Sequence, residues 1–170
     1  MADFLLKTER LILREFAPED ADGFFRMNQH PEVLRHTGDR PFIDPTEALH
    51  FITNYDHYDR YGYGRWTVRH RRDDLYLGFC GLRFHPGSGA TDLGFRLARE
   101  HWGRGYATEA AGACLRYGFG ALGLPRIIGR ARRANRASIR VLEKIGMTLQ
   151  GTFDFEGHPG VLYAARAENF

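Results

Sequence analysis

The segment Asp92–Ala98 (DLGFRLA), followed after three residues by Trp102–Glu109 (WGRGYATE), decides the fold of this chain. The first segment has the pattern of a strand. Gly103 and Gly105 follow it, and the residues after them are apolar at helical spacing. Glycine lets a backbone approach a ligand closely, and the first turn of a helix offers unpaired N–H groups to an anion. From these residues alone, the turn is either a nest for phosphate oxygens or a strand-to-helix turn without a ligand. It is neither a P-loop nor a dinucleotide fingerprint, because it lacks the Gly-Lys-Ser/Thr ending and the third glycine.

The hydrophobic pattern on both sides of this segment predicts the order β-α-α-β-β-β-α-β-α-β-β. Asp44, Pro45 and Glu47 form a helix start, with Asp44 as the N-cap and Glu47 completing a capping box. The predicted strands are Leu11–Leu13, Trp66–Val68, Leu75–Phe84, Asp92–Ala98, Arg126–Gly129, Met147–Phe155 and Val161–Ala167. The predicted helices begin near Pro18, at Pro45, near Ala107 and at Asn135. This order indicates a single mixed α/β domain over residues 1–170.

The composition is that of an ordinary globular protein, with 43% hydrophobic and 26% charged residues among 170. The net charge of +3 comes almost entirely from arginine, because Lys7 and Lys144 are the only lysines. Cys80 and Cys114 lie in apolar runs and are expected to be small core residues of a reducing compartment. Residues 1–14 do not resemble a signal peptide and no segment has the length of a membrane span, so a cytoplasmic protein is expected.

Several motifs recur in the order found in one known superfamily. They are Thr8–Arg14 (TERLILR), Gly64–Trp66 (GRW), Leu77–Leu82 (LGFCGL), Leu93–Leu97 (LGFRL), Trp102–Ala110 (WGRGYATEA), Asn135–Ser138 (NRAS) and Val141–Met147 (VLEKIGM). Together they resemble the GNAT superfamily of N-acetyltransferases, in the branch of the ribosomal-protein N-terminal acetyltransferases. Trp102 departs from the Gln or Arg of the wider superfamily, although an aromatic residue is common there in this branch. The resemblance implies a twisted, mostly antiparallel sheet of about seven strands flanked by about four helices.

The resemblance also implies acetyl-CoA as the cosubstrate, lying between the strands at 92–98 and 126–132. Backbone amides of the turn would bind its pyrophosphate, and the preceding strand would hold the pantetheine arm and offer an amide to the thioester oxygen. The turn residues are Trp102, Gly103, Arg104, Gly105, Tyr106, Ala107 and Thr108, and the strand residues are Phe95, Arg96 and Leu97. Acetyl transfer to an amine would then occur by direct attack, without a covalent enzyme intermediate.

Asn135 and Ser138 have two possible roles. The resemblance places Asn135 on the pantetheine and Ser138 near the sulfur, as an acid for the departing thiolate. Asn is also a preferred N-cap residue, and Ser138 falls in the first turn of the helix that Asn135 would cap. Both roles stay open from the sequence.

The group that takes the proton from the amine is also open. The candidates are Asp154, Glu156 and His158 near the last hairpin, where the relatives place a carboxylate, and Glu109, which is better explained by the helix dipole or a helix contact. The segment Gly151–Gly157 is shorter than in those relatives, so the alignment does not choose among them.

Two clusters carry a functional and a structural interpretation each. Six arginines within residues 126–140 either meet the cofactor's 3′-phosphate or form a solvated basic face, the latter being favoured for most of them: Arg126, Arg130, Arg132, Arg133, Arg136 and Arg140. Five aromatic residues either border the acceptor site or, the favoured interpretation, belong to the core and surface: Tyr55, Tyr58, Tyr61, Tyr63 and Trp66.

The expected partners are acetyl-CoA and a primary amine, with a protein N-terminus among the candidate acceptors and a homodimer left open. No metal is expected, because the eight histidines lack ligand spacing. Neither a membrane nor nucleic acid is expected as a partner. The alternatives to an enzyme are a non-catalytic acyl-CoA-binding module of the same fold and a basic RNA-associated protein.

Overall fold

A computed structural model describes residues 5–170, with Leu5 described by its backbone only. Eight strands form one sheet in the order β1-β2-β3-β4-β5-β6-β8-β7. The strands are β1 Leu5–Lys7, β2 Leu11–Arg14, β3 Arg65–His70, β4 Tyr76–His85, β5 Ala90–Leu97, β6 Arg126–Arg132, β7 Thr148–Phe155 and β8 His158–Arg166. The helices are α1 Ala21–Met27, α2 Pro31–Leu34, α3 Pro45–Thr53, α4 His57–Tyr61, α5 Tyr106–Gly120 and α6 Arg136–Lys144. All strand pairs are antiparallel except β5 with β6, so the mixed, mostly antiparallel fold is confirmed.

The structure contains more short elements than the sequence pattern indicates. It has eight strands rather than about seven, because β1 forms a hairpin with β2. It has six α-helices rather than four within residues 5–170, because α2 and α4 are only 4 and 5 residues long. Elements of this length are too short for a periodic pattern. The expectation about the N-terminus rests partly on residues 1–4, which lie outside the described residues.

Asp44 is confirmed as the N-cap of α3, but the second hydrogen bond of the predicted capping box involves a different residue. The Asp44 side chain accepts the Glu47 N–H at 2.9 Å. The Glu47 side chain accepts the N–H of Ile43 at 2.5 Å, one residue before the N-cap. It also pairs with Arg40 and therefore fixes the chain just before the helix.

The sheet is covered on both faces, by different helices. Cys80 and Phe79 are neighbours on β4 and therefore point to opposite faces. Cys80 belongs to the larger apolar core, which α5 and α6 complete with residues such as Cys114 and Leu142. Phe79 packs against a smaller core, which α1 and α3 build. The expectation that both cysteines are core residues is confirmed, since each is fully buried.

The parallel pair β5 and β6 opens along its length. The two strands are paired at Asp92 with Ile128 and at Leu93 with Gly129. Beyond Leu93, the described pairing of β5 is with β4 alone, up to Leu97. A gap in the sheet therefore begins after Leu93, at the place where the sequence predicts the cofactor.

Candidate active site

Two cavities meet at the gap between β5 and β6. One, the turn cavity, has a volume of about 720 Å³ and is lined by the turn before α5 and the start of α6. The other, the arginine cavity, has a volume of about 820 Å³ and opens between α1, α3 and the sheet; it is named for Arg40, Arg65, Arg83, Arg96, Arg130 and Arg132. The residues that line both are His36, Thr37, Phe95, Arg96, Asn135 and Ser138. A molecule in either cavity would reach the other at these residues.

The turn before α5 has the backbone geometry that its glycines predict. Gly103 and Gly105 have φ angles of +77° and +80°, in the left-handed region that favours glycine. Gly105 is the N-cap of the 15-residue helix α5 and supplies no side-chain cap. The first N–H groups of α5 therefore remain available beside the turn cavity, where the helix dipole favours an anion.

Arg10 supports this turn from the β1–β2 hairpin. Its Nη1 donates to the carbonyl oxygen of Arg104 at 2.9 Å, and its guanidinium lies 4.5 Å from the centre of the Tyr106 ring. Its Nε donates to Glu109 at 2.7 Å, and its backbone N–H donates to the same carboxylate at 2.9 Å. The motif at Thr8–Arg14, which the sequence linked only to the family branch, thus holds the turn before α5 in place.

Glu109 is fully engaged in this contact, which agrees with the interpretation of Glu109 as a helix contact. The hydroxyl of Thr8 also donates to its carboxylate. Burial acts to raise the pKa of Glu109, but the hydrogen bonds from Thr8 and Arg10 outweigh it and hold the pKa below its usual value. Glu109 also lies outside the residues that line the arginine cavity.

The structure brings together nearly all of the residues predicted to bind the cofactor. Those that line the turn cavity are Phe95, Arg96, Leu97, Trp102, Gly103, Gly105, Tyr106, Ala107, Thr108, Asn135 and Ser138. Arg104 is not among the lining residues. Its carbonyl oxygen accepts the hydrogen bond from Arg10. The Trp102 side chain donates from Nε1 to the carbonyl oxygen of Leu97 at 2.9 Å, so this tryptophan links the turn to the end of β5.

Asn135 caps α6, as one of its two interpretations requires. Its Oδ1 accepts the N–H of Ser138 at 3.2 Å. An amide oxygen can accept a second hydrogen bond, and the amide nitrogen of Asn135 has no hydrogen-bond acceptor within residues 5–170. The capping role is therefore confirmed, and Asn135 and Ser138 both remain at the junction of the two cavities.

Among the carboxylates and the histidine of the last hairpin, one faces a cavity. Glu156 lies at the tip between β7 and β8 and lines the arginine cavity. Asp154 instead accepts the N–H of Gly157 at 3.0 Å and closes the turn. Neither Asp154 nor His158 is among the residues that line the two cavities.

His36 lies at the junction of the cavities and was not found from the sequence. Burial lowers its pKa, and the nearby positive charges of Arg35, Arg132 and His158 lower it further. His36 is therefore neutral at neutral pH and able to accept a proton. A lone histidine between Arg35 and Thr37 carries no motif, so only the folded structure reveals its position.

The two ambiguous clusters divide between the cavities and the core. Arg136 and Arg140 line the turn cavity, Arg130 and Arg132 line the arginine cavity, and Arg126 and Arg133 line neither. Among the five aromatic residues, Trp66 and Tyr63 are buried in the core, whereas Tyr55 lines the arginine cavity. The structural interpretation of this aromatic region holds for most of its members.

Residues 5–170 contain neither a candidate membrane-spanning helix nor a candidate metal-binding cluster. No helix there has the length and apolarity needed to cross a lipid bilayer. Within the same range, no group of three or more His, Cys, Asp or Glu side chains is placed to hold a metal ion.

Comparisons with known proteins agree with this geometry. Residues 10–148 match the model of the acetyltransferase (GNAT) domain. The chain is 32% identical over 160 residues to the uncharacterized N-acetyltransferase p20 of Bacillus licheniformis, covering 92% of this chain and 90% of that protein.

Solved structures show the same fold. A GNAT-family acetyltransferase from Bacillus anthracis superposes with a TM-score of 0.84 at 26% identity, covering 97% of this chain and 99% of that one. A ribosomal L7/L12 α-N-protein acetyltransferase in complex with coenzyme A has a TM-score of 0.81 at 16% identity, covering 96% and 98%. This chain therefore belongs to the GNAT family of acetyltransferases, and it is an acyltransferase.

Proposed function

We propose that the protein transfers the acetyl group of acetyl-CoA to a primary amine, either a protein N-terminus or the amine of a small molecule. The observation that carries this proposal is the junction of the two cavities at Phe95, Arg96, Asn135 and Ser138. A donor in the turn cavity and an acceptor in the arginine cavity would meet there, between β5 and α6. Holding two reactants at one point removes much of the entropic barrier to their reaction.

The turn cavity fits coenzyme A through its backbone and its charge. The left-handed glycines and the open N–H groups of α5 suit the pyrophosphate. Arg136 and Arg140 line the same cavity and suit the 3′-phosphate. The backbone of Phe95–Leu97 lies along the gap, where an N–H would stabilise the negative charge that develops on the thioester oxygen.

In the proposed reaction, the nitrogen of the neutral amine forms a bond to the thioester carbon, and the bond from that carbon to sulfur breaks. Ser138 donates its hydroxyl proton to the departing thiolate and regains a proton from solvent. The amine gives up one proton to a base in the arginine cavity. The products are an N-acetylated amine and the free thiol of coenzyme A.

Glu156 and His36 are the two candidates for that base, because each is placed to accept a proton within the arginine cavity. Among the described residues, no positively charged side chain lies within 4.0 Å of the Glu156 carboxylate. Glu156 therefore forms no ion pair, unlike Asp92 in the same cavity. His36 is neutral for the reason given above.

The experiment that tests the function mixes the protein with acetyl-CoA and a panel of primary amines, and follows release of the coenzyme A thiol. Release that depends on an amine, together with the N-acetylated product in the mass spectrum, is the expected result. Binding of acetyl-CoA without turnover on peptides and small amines would instead favour a non-catalytic acyl-CoA-binding module.

A Ser138→Ala variant is expected to lower kcat by about 100-fold, the typical contribution of a general acid, while the Kd for acetyl-CoA changes little. Steady-state kinetics and calorimetry separate these quantities. Ser88→Ala is the matched control, because Ser88 lies in the exposed turn between β4 and β5. Equal losses in kcat and in affinity would assign Ser138 a capping or packing role.

A Glu156→Gln variant is expected to lower kcat/KM by about 100-fold or more if Glu156 accepts the proton, with acetyl-CoA binding intact. Glu168→Gln, at an exposed position, is its control.

If His36 accepts the proton of the amine, His36→Gln is the variant that loses activity. The wild-type kcat/KM would then show an acidic limb whose midpoint lies below pH 6.5, because the pKa of His36 is lowered from that value, and the substrate amine would add a second limb at higher pH. Full activity in both variants would exclude both bases.

A further inference from the structure

The closed end of the arginine cavity is built around Asp92. This residue is 6% exposed and lies where β5 still pairs with β6. Its Oδ1 lies 2.8 Å from the Arg65 guanidinium, while its Oδ2 lies 2.9 Å from His85 and 3.2 Å from Arg130. Burial acts to raise the pKa of Asp92, but Arg65 and His85 outweigh it and hold the pKa far below its usual value. Asp92 is thus a fixed negative charge and cannot take a proton from the acceptor.

Arg83 adds another positive charge beside the same carboxylate. It lies directly opposite Asp92 in the register of β4 and β5, so both side chains are on one face of the sheet. Arg83 is exposed and lines the cavity. In the described part of the chain, no carboxylate lies within 4.0 Å of its guanidinium. Three arginines against one carboxylate leave a surplus of two positive charges at this end, even with His85 neutral.

The other acidic residues of the cavity do not cancel this surplus, because three of them are already paired. The pairs are Asp39 with Arg96, Glu47 with Arg40, and Asp56 with Arg60. The fourth, Glu156, belongs to the β7–β8 tip and is a candidate for the catalytic base. A guanidinium fork that no protein carboxylate occupies suits a carboxylate or a phosphate.

The distance from this positively charged region to the junction of the cavities determines how far the amine of the acceptor must be from its anionic group. Asp92 and Phe95 are separated by three residues along β5, and Phe95 lines the junction of the cavities. Three residues of a strand span about 10 Å. Arginine side chains reach several ångströms from the backbone, so the amine and the anionic group of the acceptor are separated by about 5–10 Å.

We propose that the acceptor is an amine carrying a carboxylate or phosphate group, which binds at Arg83, next to the pair of Arg130 with Asp92. This proposal rests on the proposed function and adds the chemical class of the acceptor. Both a small amino acid whose amine and carboxylate stand at opposite ends of a carbon chain and a peptide N-terminus followed by an acidic side chain offer this chemistry.

The test compares 6-aminohexanoate with 6-aminohexanamide, which share the amine and the chain length but differ in charge. The carboxylate is expected to have a kcat/KM at least about 10-fold above that of the amide, and its KM is expected to rise with ionic strength. Arg83→Gln is expected to remove most of this preference, because kcat/KM falls much more for the carboxylate than for the amide. The control is Arg72→Gln, because Arg72 is exposed and lies outside both cavities.

If neither compound is turned over, calorimetric binding of each to the complex with coenzyme A decides the question. Tighter binding of the carboxylate, lost in Arg83→Gln, supports the proposal, whereas equal or absent binding of both overturns it. The Kd for acetyl-CoA, measured on the same samples, tests the proposed function separately. A protein that binds acetyl-CoA and treats the two amines equally retains the proposed function and loses this inference.

A further arm identifies the source of the anionic group. The peptides Ala-Glu-Gly and Ala-Gln-Gly differ only in the charge of the second side chain. Preference for Ala-Glu-Gly over 6-aminohexanoate supports the proposal with a peptide acceptor, and the reverse supports it with a small molecule. Equal rates for the two peptides, together with equal rates for the two hexane derivatives, contradict it.

Discussion

A Gly105→Asp variant is expected to lose binding of acetyl-CoA almost completely. Gly105 is the N-cap of α5 and has a φ angle of +80°, and a Cβ at this position would lie 3.3 Å from Nη2 of Arg10. An aspartate there would place a negative charge beside the proposed pyrophosphate and would compete for the guanidinium that supports the turn. Two unit charges about 4 Å apart at an effective dielectric constant near 20 repel by about 4 kcal/mol. This corresponds to roughly a 1,000-fold rise in Kd.

The matched control for this variant is Gly123→Asp. Gly123 also has a positive φ angle, +63°, and a Cβ there would meet nothing within 4 Å, but it follows α5 at its far end. The backbone strain of an aspartate is therefore similar, while the distance from the turn cavity is large. Calorimetry with acetyl-CoA, after circular dichroism has shown that both variants are folded, gives the comparison. An unchanged Kd in folded Gly105→Asp would contradict the assignment of the pyrophosphate to this turn.

The parts of the fold that the sequence predicted are the long elements with a regular pattern. Helix α5 and the hairpin of β3 and β4 were recognisable because apolar residues recur at one spacing over many positions. Strand β1 and helix α4 were missed, because 3 and 5 residues are too few for a spacing to repeat. Elements this short are stabilised by the elements that they contact rather than by a pattern of their own, as in the pairing of β1 with β2.

The candidate site was predictable where it depends on the backbone and not where it depends on packing. Gly103, Gly105 and Asn135 carry local requirements, namely positive φ angles and a helix cap, so their positions could be inferred from sequence. The positions of His36 and Arg83 follow from the way in which separate elements face each other across the arginine cavity. No local pattern contains that information, which is why these two residues of the arginine cavity were recognised only in the structure.

Asp20 illustrates the same limit, since it follows Pro18, where the sequence predicts no more than the start of a helix. In the structure it is 1% exposed and forms two hydrogen bonds with Arg14, at 2.8 and 2.9 Å. It also accepts hydrogen bonds from Arg69 at 3.1 Å, from the hydroxyl of Thr67 at 2.7 Å, and from the N–H of Ala17 at 2.9 Å. One carboxylate thus joins strands β2 and β3 to the start of α1.

An Asp20→Ala variant is therefore expected to lose about 3–5 kcal/mol of unfolding free energy, as found when one partner of a buried ion pair is removed. The loss arises because two largely buried guanidinium groups and a buried hydroxyl are left without their acceptor. For a protein of this size, such a loss lowers the Tm by about 10 °C, which calorimetry or thermal circular dichroism would measure.

Asp20→Asn keeps the size of the side chain and lacks its charge, so its loss of unfolding free energy should be smaller than that of the alanine variant. The control is Asp22→Ala, an exposed residue on the first turn of α1, which is expected to cost less than about 1 kcal/mol. Equal stability of the Asp20→Ala and Asp22→Ala variants would show that the buried carboxylate contributes no more than an ordinary surface charge.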